Sequence, residues 1–127
     1  MLRACRRVLR PGGRLAFYTI FIAPGASAAD RRRAATNGPT AAASRRDHVQ
    51  MLGAAGFTAV AETDVTDQFV ETASIWLEGR TQHAAQLAEL EGRDSFEGRL
   101  HESREQLRLT KAGVIRRSLF VAMRPQA

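Results

Sequence analysis

Cysteine is almost missing from this chain: Cys5 stands alone among 127 residues, so no internal disulfide framework exists and any fold must rest on packing. On the apolar side of a short helical segment, Cys5 reads as a packing residue. Metal-ligand spacing is also lacking. There is no C-x-x-C or H-x-x-x-H, and His48, His83 and His101 lie far apart, so no metal site is expected. No apolar run reaches the roughly 20 residues that span a bilayer. The basic amphipathic start leads into neither a signal-peptide core nor a cleavage site, which makes cytoplasmic the expected location, with no membrane partner.

Lysine is scarce as well, since Lys111 is the one lysine beside eighteen arginines. The resulting charge is uneven: residues 1–46 carry ten arginines against one acid, Asp30, whereas residues 47–112 carry twelve acids against six bases. Arg3, Arg6, Arg7, Arg10 and Arg14, with Arg31 to Arg33 and Arg45-Arg46, offer a phosphate-binding surface, and a basic RNA-binding module is one reading. Eight aromatics, not interleaved with those arginines, provide no stacking platform for single strands. A solvated basic face is the simpler account, and it argues against a nucleic-acid partner.

What the chain does have is concentrated near its beginning. Leu2, Cys5, Val8 and Leu9 recur at helical spacing over residues 1–9. Pro11 turns Arg10 away from helical dihedrals, and Gly12-Gly13 permits a reversal. Residues 14–22, RLAFYTIFI, are aromatic and β-branched with Thr19 the only polar interruption, the pattern of a strand covered on both faces. Such a strand so close to Met1 points to part of a larger fold.

The junction Arg7-Val8-Leu9-Arg10-Pro11-Gly12-Gly13-Arg14-Leu15-Ala16-Phe17 resembles the helix, turn and fifth strand of class I S-adenosylmethionine-dependent methyltransferases, the Rossmann-like group. Ala55-Gly56-Phe57 is similar to that family's entry into its sixth strand, and residues 118–125, SLFVAMRP, to its seventh. The resemblance implies an α/β fold: the C-terminal part of a methyltransferase sheet, with strands five and six, an antiparallel strand seven, and a helical hairpin between six and seven. The segments read as helix, turn and strand five over residues 1–22, a loop over 23–43, helix and strand six over 44–65, the hairpin over 66–112, and strand seven over 113–124.

The same resemblance implies methyl transfer to a small molecule by the complete domain, with S-adenosylmethionine as cofactor. In the family a glycine-rich loop after the first strand and an acid after the second hold that cofactor. This chain has no G-x-G-x-x-G, and Gly12-Gly13 precede a strand instead of following one. We therefore expect no cofactor-binding residues here and no activity from the chain alone. The long loop after residue 22 would follow the carboxyl end of strand five, where open α/β sheets place ligands, so Thr19, Phe21 and Ile22 are candidate acceptor contacts, with plain strand-end packing equally open.

Farther along, Ser44 and Asp47 have capping-box spacing for a helix that Gly56 ends. Thr66 is a candidate cap for a long helix whose stripe includes Phe69, Ala73, Trp76, Leu77, Ala84, Leu87 and Leu90. Asp94 and Glu97 suggest a second capping box after Gly92, and Gly113 closes that second helix. Phe69 and Trp76 share a face and form either core or an aromatic wall for the acceptor. His83, His101 and Glu71 are possible bases, but nothing singles one out as catalytic. A non-enzymatic interaction domain, dimerising through the strand-five edge or the hairpin, is the remaining alternative.

Overall fold

A computed structural model describes residues 1–37 and 47–126. In chain order the elements are α1 (Leu2–Val8), β1 (Arg14–Ile22), α2 (Ala28–Asn37), α3 (His48–Ala54), β2 (Thr58–Asp64), α4 (Thr66–Gln82), α5 (Ala84–Glu91), α6 (Arg93–Lys111) and β3 (Ile115–Met123). The strands form one sheet in the order β1-β3-β2, so the last strand in sequence is central in space. It runs antiparallel to both neighbours, with Arg14 opposite Met123 and Ile22 opposite Ile115, as the expected seventh strand should.

Period-two alternation sends successive side chains to opposite faces of this sheet, and both faces are apolar. On one face Phe120 and Ala122 of β3 pack with Leu52 of α3 and with Phe57, surrounded by Leu2, Cys5, Leu9, Leu15 and Phe17. Phe17 stacks on Phe120 with ring centroids 5.5 Å apart. On the other face Ile22, Val114 and Ile115 meet Ala34 of α2 and Leu109 of α6. β1 is apolar on both sides but is not covered evenly: on the second face its Ile20–Ile22 end packs against the core, whereas Ala16 and Tyr18 stay exposed. In β2 the register slips between Thr58 and Ala61 and Ala59 takes a φ of 50°, the signature of a β-bulge.

The turn between α1 and β1 forms as its residues dictate. Gly12 adopts a φ of 77°, and the amide of Gly13 donates to the Arg10 carbonyl at 2.8 Å. Two backbone bonds attach this turn to the far end of β3: Gly12 N to Arg124 O at 2.9 Å and Arg124 N to Gly13 O at 2.8 Å. The Arg124 guanidinium also donates to the Arg6 carbonyl at 3.1 Å and to the Leu9 carbonyl, capping the open end of α1.

Several expectations need correction. In the segment 23–43, where the sequence suggests a loop with a short helical turn around residues 28–34, α2 makes a full ten-residue helix, opened by the Ser27 hydroxyl accepting from Asp30 N at 3.1 Å. Asp47 caps α3 by accepting from Val49 N at 2.8 Å, so that helix begins at His48; Ser44 lies outside the described residues. Thr66 does not cap α4. Asp64 accepts from Thr66 N at 2.8 Å, which frees the Thr66 hydroxyl to accept from Arg117 N at 3.0 Å.

The insertion between β2 and β3 contains three helices instead of a two-helix hairpin. His83, at φ −105° and ψ 26°, separates α4 from α5, although neither proline nor glycine stands there. The break lets Arg80 of α4 reach Glu91 at the end of α5 through two bonds of 3.2 and 2.7 Å, a bidentate grip that an uninterrupted helix would not allow at eleven residues' separation. α6 then starts after Gly92 (φ 89°) with no side-chain cap, so the Asp94 capping box does not form.

Candidate functional site

Two of the inserted helices, α4 and α6, leave a cavity of about 390 Å³ against the second face of the sheet. α4 supplies Phe69, Ala73 and Trp76, an i, i+4, i+7 series that shares one helical face. α6 closes the opposite wall with Leu107 and Thr110, and Ile20 and Arg117 of the sheet form the floor. Trp76 sits at the rim, 71% exposed, and beyond it a shallower groove of about 480 Å³ continues past Leu87 to Leu90. The volume suits a small molecule, and most of the lining is apolar.

Two arginines enter this lining, in different states. Arg80 is consumed: it grips Glu91 and lies 5.3 Å from the Phe96 ring centroid. Its positive charge holds the Glu91 carboxyl below the usual range, first through the direct hydrogen bond. Arg117 has its guanidinium over Tyr18 at 4.5 Å and over Phe69 at 5.4 Å, a cation held between two rings. Its neighbour Arg116 points elsewhere and pairs with Asp64. That pairing and the Thr66 hydrogen bonds pull the Asp64 carboxyl down to about 2, the Thr66 bond contributing most.

Of the sequence candidates, Phe69 and Trp76 come together in the cavity. Thr19, Phe21 and Ile22 do not join them. Ile22 is buried in the core beside Ala34 and Leu109, while Thr19 and Phe21 lie on the other face of β1, with the Phe21 ring 5.8 Å from that of His48. His83 lines the outer groove; His101 and Glu71 are exposed and line neither space. The sequence reading missed Arg80 and Arg117. A signal for Arg117 existed, since Arg116-Arg117 interrupts an otherwise apolar strand, where one charge must project into whatever the sheet covers.

Among the described residues, β1 connects to α2 through a segment with Gly25 beside Pro24, and Val65 alone joins β2 to α4. Among the described residues no cluster of three or more His, Cys, Asp or Glu is suited to a metal ion, and no helix is long and apolar enough to cross a membrane. The basic segment is partly occupied internally: Arg6 donates to the Gly56 carbonyl at 3.2 Å, and Arg31 to those of Ala26 and Pro24 at 3.2 and 2.7 Å.

No protein-family sequence model and no curated protein matches the chain. Solved structures do. Phosphoethanolamine N-methyltransferase 2 of Haemonchus contortus, solved with phosphomonomethylethanolamine and S-adenosylhomocysteine, superposes with a TM-score of 0.82 at 16% identity over 98% of this chain and 29% of its own. The cyclopropane synthase MmaA2 of Mycobacterium tuberculosis gives 0.78 at 16% identity over 97% of this chain and 48% of its own. The mycolic acid cyclopropane synthase CmaA1, solved with S-adenosylhomocysteine and CTAB, gives the same TM-score of 0.78 over the same shares. The chain thus spans half or less of these proteins' length, and what it shares with them is architecture: it has the fold of part of a Rossmann-like methyltransferase domain.

Proposed function

We propose that this chain is the C-terminal, acceptor-side portion of an S-adenosylmethionine-dependent methyltransferase acting on a small molecule. The observation that carries the reading is the Phe69–Trp76 cavity between the inserted helices and a sheet of methyltransferase architecture. S-adenosylmethionine would supply a sulfonium methyl group in the complete domain, from a binding half that these residues do not provide. The residues of this chain would position the acceptor: Phe69 and Trp76 enclose its apolar part, and Leu107 and Ile20 exclude water behind it. No side chain here stands out as a base.

The test is calorimetric. Titrating the purified chain with S-adenosylmethionine should give no saturable heat in the micromolar range. A stoichiometric micromolar site would overturn the division between a cofactor half and an acceptor half. A second reading, an interaction domain built on the same fold, draws on β1, whose outer edge pairs with no strand among the described residues.

A further inference from the structure

Arg117 is a feature of the cavity that packing alone does not explain. Its guanidinium lies between the Tyr18 and Phe69 rings, half-buried, and no aspartate or glutamate among the described residues forms an ion pair with it. No acidic side chain lines the cavity either. The other cationic group there, Arg80, is already neutralised by Glu91. A half-buried cation that rests against two aromatic faces and has no counter-charge is one that an incoming anion would stabilise.

The geometry points to an acceptor with an oxyanion on an apolar body, the oxyanion held by Arg117. This rests on the reading of the cavity as an acceptor pocket and adds the charge of its ligand. From Arg117 the apolar body would run along Phe69 and Ala73 to Trp76, with the groove toward Leu87 and Leu90 taking a longer chain. The Arg117 backbone is fixed independently of any ligand, since its amide donates to Thr66 Oγ1 and its carbonyl accepts from Val65 N at 2.9 Å. The guanidinium is therefore presented from a rigid strand. Carboxylate and phosphate monoester share the required chemistry, and both match a guanidinium fork.

Trp76 makes the test direct, because it is the only tryptophan in the chain and stands at the cavity rim. Its fluorescence would be followed while the full chain is titrated at submicellar concentrations with decanoate, decyl phosphate, decanol and decylammonium. At least one of the two anions should bind saturably and more tightly than decanol, with decylammonium weakest and anion binding weakened by salt. Arg117→Gln should weaken the anion about tenfold while leaving decanol unchanged, and Arg117→Lys should keep much of the affinity. Which anion binds better separates a carboxylate from a phosphate acceptor.

Equal affinity for decanol and both anions in the wild-type chain would overturn the oxyanion assignment and leave the pocket itself standing. If none of the four probes moves Trp76, the acceptor-pocket reading falls with it. The wild-type comparison needs no variant, so a poorly folded Arg117→Gln protein would not shelter the proposal; far-UV circular dichroism identifies that case.

Discussion

At the level of single residues, the turn before β1 shows how two kinds of information combine. Pro11 and Gly12-Gly13 announce a reversal by their own dihedral preferences, and the reversal forms. What holds it is Arg124, 115 residues from Leu9, and no local pattern could have named that partner. Gly13 has a steric reason as well: a Cβ there would lie 2.8 Å from the Arg10 carbonyl oxygen, a backbone atom with little room to yield. Gly13→Ala should lower stability by about 1–3 kcal/mol, as other strained turn substitutions do, measurable by urea denaturation. Asp64 gives a pH prediction. Its carboxyl sits near 2 in the folded chain against a model value of 3.8, so the unfolded state takes up the proton first as acid is added. The stabilisation is complete above about pH 4 and is lost as pH falls toward 2. Acid titration followed by circular dichroism should show a drop over that window that is smaller in Asp64→Asn.

Among the secondary-structure elements, the strands were legible and the inserted helices only partly so. β1 and β3 announce themselves by composition: RLAFYTIFI has apolar side chains at nearly every position, yet Ala16 and Tyr18 stay exposed on one face of β1, and the deepest burial falls on central β3. Phe120 is 2% exposed between Phe17 and the residues of α3. Phe120→Ala should therefore cost about 3–5 kcal/mol and shift the thermal midpoint down, readable by calorimetry. The α4–α5 stripe reads as one helix because hydrophobic spacing passes through His83 unbroken. Its interruption is accompanied by tertiary contacts that local spacing does not encode, the Arg80–Glu91 pair and the packing of Phe96 against Arg80. Exchanging that pair separates geometry from charge. Glu91→Gln should loosen α5 before the sheet, seen as faster amide exchange over residues 84–91 with little change in β3.

For the molecule as a whole, the sheet has two edges, β1 and β2, and β1 is the longer and more apolar of them. β1 ends the sheet with its outer backbone groups unpaired by any described strand, over nine residues of mostly apolar sequence. Such an edge recruits another strand. The mass measured by light scattering should accordingly rise with protein concentration, and a constant monomer mass would count against it. The cavity was legible in part at this scale: Phe69 and Trp76 share a face in any helical reading. Arg117 comes to them only through pairing of β3 between strands that sequence places far before it. Thr19, Phe21 and Ile22 were chosen for their place at the strand's carboxyl end, but alternation along β1 divides them between two faces.

The central position of β3 also dictates a timetable. During synthesis, at roughly 5–20 residues per second, β1 and β2 emerge long before the strand that bonds to both of them. Until Ile115–Met123 has left the ribosome, apolar β1 and the more polar β2 lack the strand that joins them, so the β1-β3-β2 sheet closes only once β3 is available.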